Sequence, residues 1–135
     1  ASEEAQAALR ELRELAHGIY PAILADAGLG PALATMADTA PVAVELGEVV
    51  HERLPSAVEI AAYVVALAAV EDAAARGATQ AAIRAVRREG ELVVEVLDDG
   101  RRRDTDLRHV ADRVGALGGR LVTGPYTVAA AIPCA

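Results

Sequence analysis

"VLDDGRRRDTDLRHVADRVGALGGRL", residues 96–121, is the stretch on which the fold turns. An apolar strand runs into Asp98-Asp99-Gly100 and three arginines follow. Leu107, Val110, Val114 and Leu117 then recur at helical spacing as far as Gly118-Gly119. The chain is read outward from here. Just upstream, "TQAAIRAVRREGELVVEVLDD" reads as two strands joined in a hairpin at Glu89-Gly90. Residues 56–76 predict a long helix, with Ser56 as N-cap and Glu59 completing a capping box. That helix is apolar almost all round until Glu71, which makes it the buried central helix, and Gly77 ends it. "PVAVELGEVV", residues 41–50, alternates as a strand does.

At the N-terminal end, residues 2–19 predict a helix capped by Ser2, with Leu9, Leu12, Leu15 and Ile19 in one stripe. Pro21 interrupts it; a short helix, a turn at Gly28–Gly30 and a helix from near Pro31 follow. Downstream of the opening stretch, a helix over 105–117 leads to two strands around Gly124-Pro125. The element order predicts an α+β, two-layer sandwich: a mixed sheet of about five strands with helices on one face. Residues 1–20 form a helix and connector, and residues 21–135 form the domain proper.

Composition bounds the function. The chain has 135 residues, enough for one core, and no Phe or Trp, so that core is built from Ala, Val, Leu and Ile. A net charge of −7 excludes nonspecific nucleic-acid binding and attraction to an anionic membrane surface. The single Cys134 excludes an internal disulfide and a multi-cysteine metal site. His17, His51 and His109 show no metal-ligand spacing, and Tyr20, Tyr63 and Tyr126 read as packing residues. No apolar run is long enough to span a bilayer, and no signal-peptide pattern or internal repeat is present. The chain opens as if in mid-helix, like a piece of something longer.

Several segments resemble, in order and spacing, sensor histidine kinases of the nitrate-sensor/DesK-like class, whose ATP-binding domain has the Bergerat (GHKL) sandwich. "LRELAHGIYPAILADAGLGPALATMA" resembles the join between the dimerisation helices and that domain, and "PVAVEL" its first strand. "YVVALAAVEDAAARGAT" resembles its central helix, and "VLDDG…LRHVADRVGALGGRL…TVAAAIP" its C-terminal half. The resemblance implies Mg-ATP as cofactor and phosphotransfer to a histidine. It also implies upstream dimerisation and sensor domains of the same protein and a cognate response regulator as partners. The portion in hand would be cytoplasmic, in a protein that membrane segments elsewhere would anchor. Residues 2–19 would pack on the core or give a weak homodimer.

The motifs of the resemblance depart from the family at the chemistry. In the central helix the family carries a Glu, then an Mg²⁺-holding Asn, then Lys-His. Counting back from Ala78-Thr79 puts Leu67 at the Glu position, Glu71 at the Asn position and Ala74-Ala75 at Lys-His. A shift of one residue puts Asp72 at the Asn position instead. The family's Asp-x-Gly-x-Gly, whose Asp accepts the adenine amino group, is met by Asp98 and Gly100 but has Arg102 as its second glycine. The second glycine box, at the N-terminus of the last helix, has Asp104 and Asp106 in place of glycines. Aspartates there cap a helix and take up the N–H groups that would bind phosphate.

A carboxylate beside a phosphate about 4 Å away costs roughly 4 kcal/mol at an effective dielectric of about 20. Arginines bind phosphate well, so Arg101–Arg103 could compensate, but such a run reads first as a solvated loop. If nucleotide binding is retained, the residues carrying it are Asp98, Gly100, Glu71, Asp72 and Thr127, with Glu71 as metal ligand. No catalytic residue is assigned, because the phosphoacceptor motif, an Arg-x-Leu-His-Asp-like sequence, is absent. The expectation is an ATPase-like domain with impaired or lost ATP binding and a regulatory or binding role, inactive alone as a kinase. The alternatives are a divergent but active catalytic domain and a stand-alone interaction module of the same fold.

Overall fold

Alternation of large apolar and polar or small residues along the strands gives the sheet one face to bury, and the helices supply the matching layer. The computed structural model describes residues 21–134 apart from residue 105; the expected helix over 2–19 lies outside them. The elements are α1 (Ala22–Ala27), α2 (Leu29–Thr39), β1 (Ala43–Val49), α3 (Ser56–Ala75), β2 (Gln80–Arg88) and β3 (Glu91–Asp98). They continue with α4 (Arg108–Gly115), β4 (Arg120–Thr123) and β5 (Thr127–Pro133). The sheet order is β1-β2-β3-β5-β4; β1 pairs parallel to β2 and the remaining pairs are antiparallel. The five-stranded mixed sheet with its helical layer is the sandwich expected from the element order.

The helix-facing side chains of the strands are Ile83 and Ala85, Leu92, Val94 and Val96, and Val128, Ala130 and Ile132, all buried. On the other face Leu97 and Val122 are exposed. α3 lies across this layer and packs on β2, β3 and β5. Its sheet side is made of small residues, with Ala62, Ala66, Ala69 and Ala73 fully buried, so the helix approaches the strands closely without aromatic side chains. The α3 C-terminus closes as a Schellman turn: Ala78 N–H bonds to Ala73 O at 3.0 Å and Gly77 N–H to Ala74 O at 3.0 Å, with Gly77 at φ 80°.

Three boundaries depart from the sequence reading. Ser56 does not cap α3: Pro55 holds the N-cap position and no side chain caps it. The Glu59 carboxylate turns instead to the Leu54 N–H (3.2 Å) and to Arg53, whose guanidinium also donates to the carbonyls of Ala25 and Asp26 at the end of α1. Glu59 is therefore a buried clamp, not half of a capping box, and its bond holds the Arg53 pKa above the ordinary value. The second helix begins at Leu29, so Pro31 sits inside its first turn, where a missing N–H is harmless. The last helix is shorter than expected, Arg108–Gly115, with its N-cap at Leu107 and its C-cap at Ala116. After it, Gly119 lies so close to Ala131 O and the Val114 side chain that a Cβ would not fit, which explains the glycine in "ALGGRL".

Candidate functional site

The turn after β3 brings together residues from β3, the end of α3, the start of β5 and the loop segments beside them. Asp98 ends β3 and points towards the end of α3, where Asp72 and Arg76 stand one helical turn apart. Arg76 grips Asp98 with both ends of its fork: Nη2 to Oδ2 at 2.6 Å and Nη1 to Oδ1 at 3.1 Å. Its Nε donates to Asp72 Oδ2 at 2.9 Å, and Nη1 also reaches Arg101 O at 2.6 Å. Arg103 enters from the other side: Nε donates to Asp72 Oδ2 at 3.0 Å, and Nη1 to the carbonyls of Gly124 (2.6 Å) and Thr127 (2.9 Å). Its Nη2 lies 3.8 Å from Asp98 Oδ2. The four side chains are 6%, 10%, 1% and 4% exposed for Arg76, Asp72, Asp98 and Arg103.

Two carboxylates and two guanidiniums thus form a buried, charge-balanced cluster. Bidentate arginine–carboxylate geometry is among the strongest polar contacts available. Burial by itself pulls the Arg76 pKa down, but its bonds to Asp98 and Asp72 outweigh that and leave it raised. Gly100 belongs to the same packing: its N–H donates to Asp98 Oδ1 at 2.9 Å. A Cβ there would stand 3.2 Å from Ala78 N, Arg76 O and Asp98 Oδ1. That close approach is to the end of α3.

Asp99 faces away from the cluster and takes three donors at the start of β2: Thr79 N–H (2.8 Å), Thr79 Oγ1 (2.6 Å) and Gln80 N–H (3.0 Å). The Thr79 hydroxyl, then the backbone of Gln80 and Thr79, hold its pKa below the usual aspartate value.

Of the residues singled out in the sequence, Asp98, Gly100 and Asp72 meet at this cluster, and Thr127 joins it through its carbonyl. Glu71 does not: it is exposed on α3. It is felt instead by Tyr63, whose hydroxyl is pushed up first by burial and then by the Glu71 charge. Arg102, Asp104 and Asp106 are exposed. Asp106 Oδ1 accepts the Arg108 N–H at 3.2 Å, so part of the expected self-capping of α4 falls to Asp106, ahead of an N-cap at Leu107. The reading of Arg101–Arg103 as a solvated loop holds for Arg101 and Arg102 and fails for Arg103, which has buried acceptors to reach. Tyr126, read as a packing residue, is 46% exposed; its carbonyl accepts the Asp98 N–H.

The sequence reading missed Arg76 and the part played by Arg103. Arg76 had a signal, its i,i+4 spacing from Asp72 at the end of an alanine-rich helix. Arg103 had none, since its partners are distant in sequence. Among the described residues no group of three or more His, Cys, Asp or Glu side chains is placed to hold a metal ion, and no helix is long and apolar enough to cross a membrane.

Neither a protein-family model nor a curated protein sequence matches the chain. Solved structures do. The blue-light activated histidine kinase of Erythrobacter litoralis aligns with TM-score 0.59 and 22% identity over 80% of this chain; the chain spans 44% of that protein's length. The ATP-binding domain of PrrB from Mycobacterium tuberculosis gives TM-score 0.57 and 20% identity, covering 79% of this chain and 91% of that one. Histidine kinase AdeS of Acinetobacter baumannii gives TM-score 0.56 and 14% identity, covering 98% and 80%. The two-layer sandwich of this chain is the fold of histidine-kinase ATP-binding domains.

Proposed function

We propose that this chain is the ATPase-like domain of a two-component sensor histidine kinase of the nitrate-sensor/DesK-like class, and that its nucleotide site is degenerate. In this reading the domain acts through contacts with dimerisation and sensor domains of the same protein and with a response regulator, and not by phosphotransfer. The observation that carries it is the engagement of Asp98. A base-binding aspartate must offer a carboxylate oxygen to an exocyclic amino group; here both oxygens accept from Arg76, and one also from the Gly100 N–H.

The residues present fit Mg-ATP poorly. Glu71, the candidate metal ligand, stands apart from the cluster, and an alanine occupies the lysine position at Ala74. Opening the cluster to admit a base would leave buried charges unpaired, at a cost of several kcal/mol. The full-length protein incubated with radiolabelled ATP and Mg²⁺ should acquire no acid-labile phosphate. Stoichiometric label that Asp98→Asn abolishes would refute the reading. It would favour a divergent active domain that draws on Glu71 and the exposed Arg101 and Arg102.

A further inference from the structure

The Arg103 guanidinium donates to the Asp72 carboxylate, on an oxygen it shares with Arg76, and to the carbonyls of Gly124 and Thr127, with Asp98 just beyond. A planar cation with divergent N–H donors is already held there, with its side chain 4% exposed. It is delivered by an otherwise exposed segment: Arg101, Arg102 and Asp104 on either side of Arg103 all face solvent. The backbone anchors near it are Arg101 N–H to Arg76 O at 2.9 Å and Arg103 N–H to Pro125 O at 3.0 Å. A short strap therefore carries one buried side chain into a receptor built by the end of α3 and the turn before β5.

We propose that this receptor is a guanidinium-binding site that Arg103 fills in cis, with residues 101–104 as the strap that delivers it. Arg76 is the fixed half of the cluster, because it belongs to the turn that ends α3. Arg103 is the more weakly held half: it hydrogen-bonds one carboxylate, Asp72, lies 3.8 Å from the Asp98 oxygen that Arg76 grips at 2.6 Å, and makes its remaining bonds to neutral carbonyls. With the strap withdrawn, the site takes a free guanidinium or amidinium and rejects cations of other shapes, since the two carbonyls and the carboxylate demand divergent N–H donors in one plane. This rests on the proposed closure of the nucleotide site, in which Arg76 occupies both Asp98 oxygens and Arg103 adds a second cation beside them.

The test is chemical rescue of Arg103→Gly by low-millimolar guanidinium or methylguanidinium, read as thermal midpoint. Sodium chloride at equal ionic strength and urea, the neutral isostere, serve as controls. Binding to the folded state alone raises stability by mass action, so a saturable rise of about 4 °C is expected in Arg103→Gly for a ligand a few-fold above its Kd. None is expected in the wild type or in Arg102→Gly. Arg103→Gly with Asp72→Asn, which removes the receptor carboxylate, should fold and give no response.

If Arg103→Gly is unfolded, guanidinium at these concentrations should restore cooperative unfolding; failure to do so overturns the proposal. So does a midpoint that moves equally with urea or salt, or an equal rise in the double variant. Mg-ATP is titrated into the wild type separately. Tight binding there defeats the nucleotide reading whatever guanidinium does, whereas an unresponsive Arg103→Gly with no ATP binding in the wild type defeats only the strap.

Discussion

Asp98 and Asp99 are neighbours on one turn and do opposite jobs. Asp98 turns inward, with a side chain 1% exposed and a guanidinium clamped on both oxygens. Asp99 turns to the exposed side and binds the hydroxyl and N–H groups that start β2. The inner carboxylate is a charge that only another buried charge can hold. The outer one is an anchor for backbone donors that water could also serve. Energetic weight follows surroundings and not residue type: losing a buried partner strands a charge in low dielectric, while losing an exposed anchor lets water in.

The comparison breaks most visibly on the inner side. Asp98→Ala should cost about 3–5 kcal/mol, because Arg76 loses its fork while remaining buried. Denaturant midpoints measure this, and a loss below about 1 kcal/mol would place the guanidinium in solvent. Arg76→Gln should cost somewhat less, about 2–3 kcal/mol, since a neutral amide still donates one bond to a carboxylate.

On the outer side, Asp99→Ala should lower the midpoint by less than either. Its effect should also depend on pH in a set direction. The folded carboxyl titrates below the free value of about 3.9. Its contribution is therefore complete above that pH and disappears as the pH falls through the lower folded value. The gap between wild type and Asp99→Ala should be flat from about pH 5 to pH 8 and close in stronger acid. A gap that widened in acid would reverse the assignment. Smallest of all, Arg102→Ala should stay within about 0.5 kcal/mol of wild type, because its side chain is exposed beside the strap residue that is not.

These residues also mark where the sequence was readable. The hairpin at Glu89-Gly90, the central helix ended by Gly77 and the packing face Leu107, Val110 and Val114 follow from local periodicity and turn chemistry, so they were visible in the string. Asp98 and Gly100 stood out by resemblance, and they do meet at one place. Their partners were not legible: Asp98 finds Arg76 across 22 positions, and Asp72 finds Arg103 across 31, with no repeating pattern to connect them. The capping box at Ser56 misled because Glu59 had a stronger partner in Arg53, a choice that only the packed loop before α3 decides. Asp104 and Asp106 drew attention to the segment before α4, where both are exposed, whereas the buried charges gather at Asp98.

The central claim, that the inner carboxylate is committed to the protein's own arginines and not to a nucleotide, is tested most directly by calorimetric titration of the wild-type domain with Mg-ATP. The account predicts no saturable heat, with any Kd at or above about 1 mM, which is about −4 kcal/mol or weaker. A micromolar Kd that Asp98→Asn abolishes would contradict it and would mean that Arg76 and Arg103 yield their carboxylate to the base.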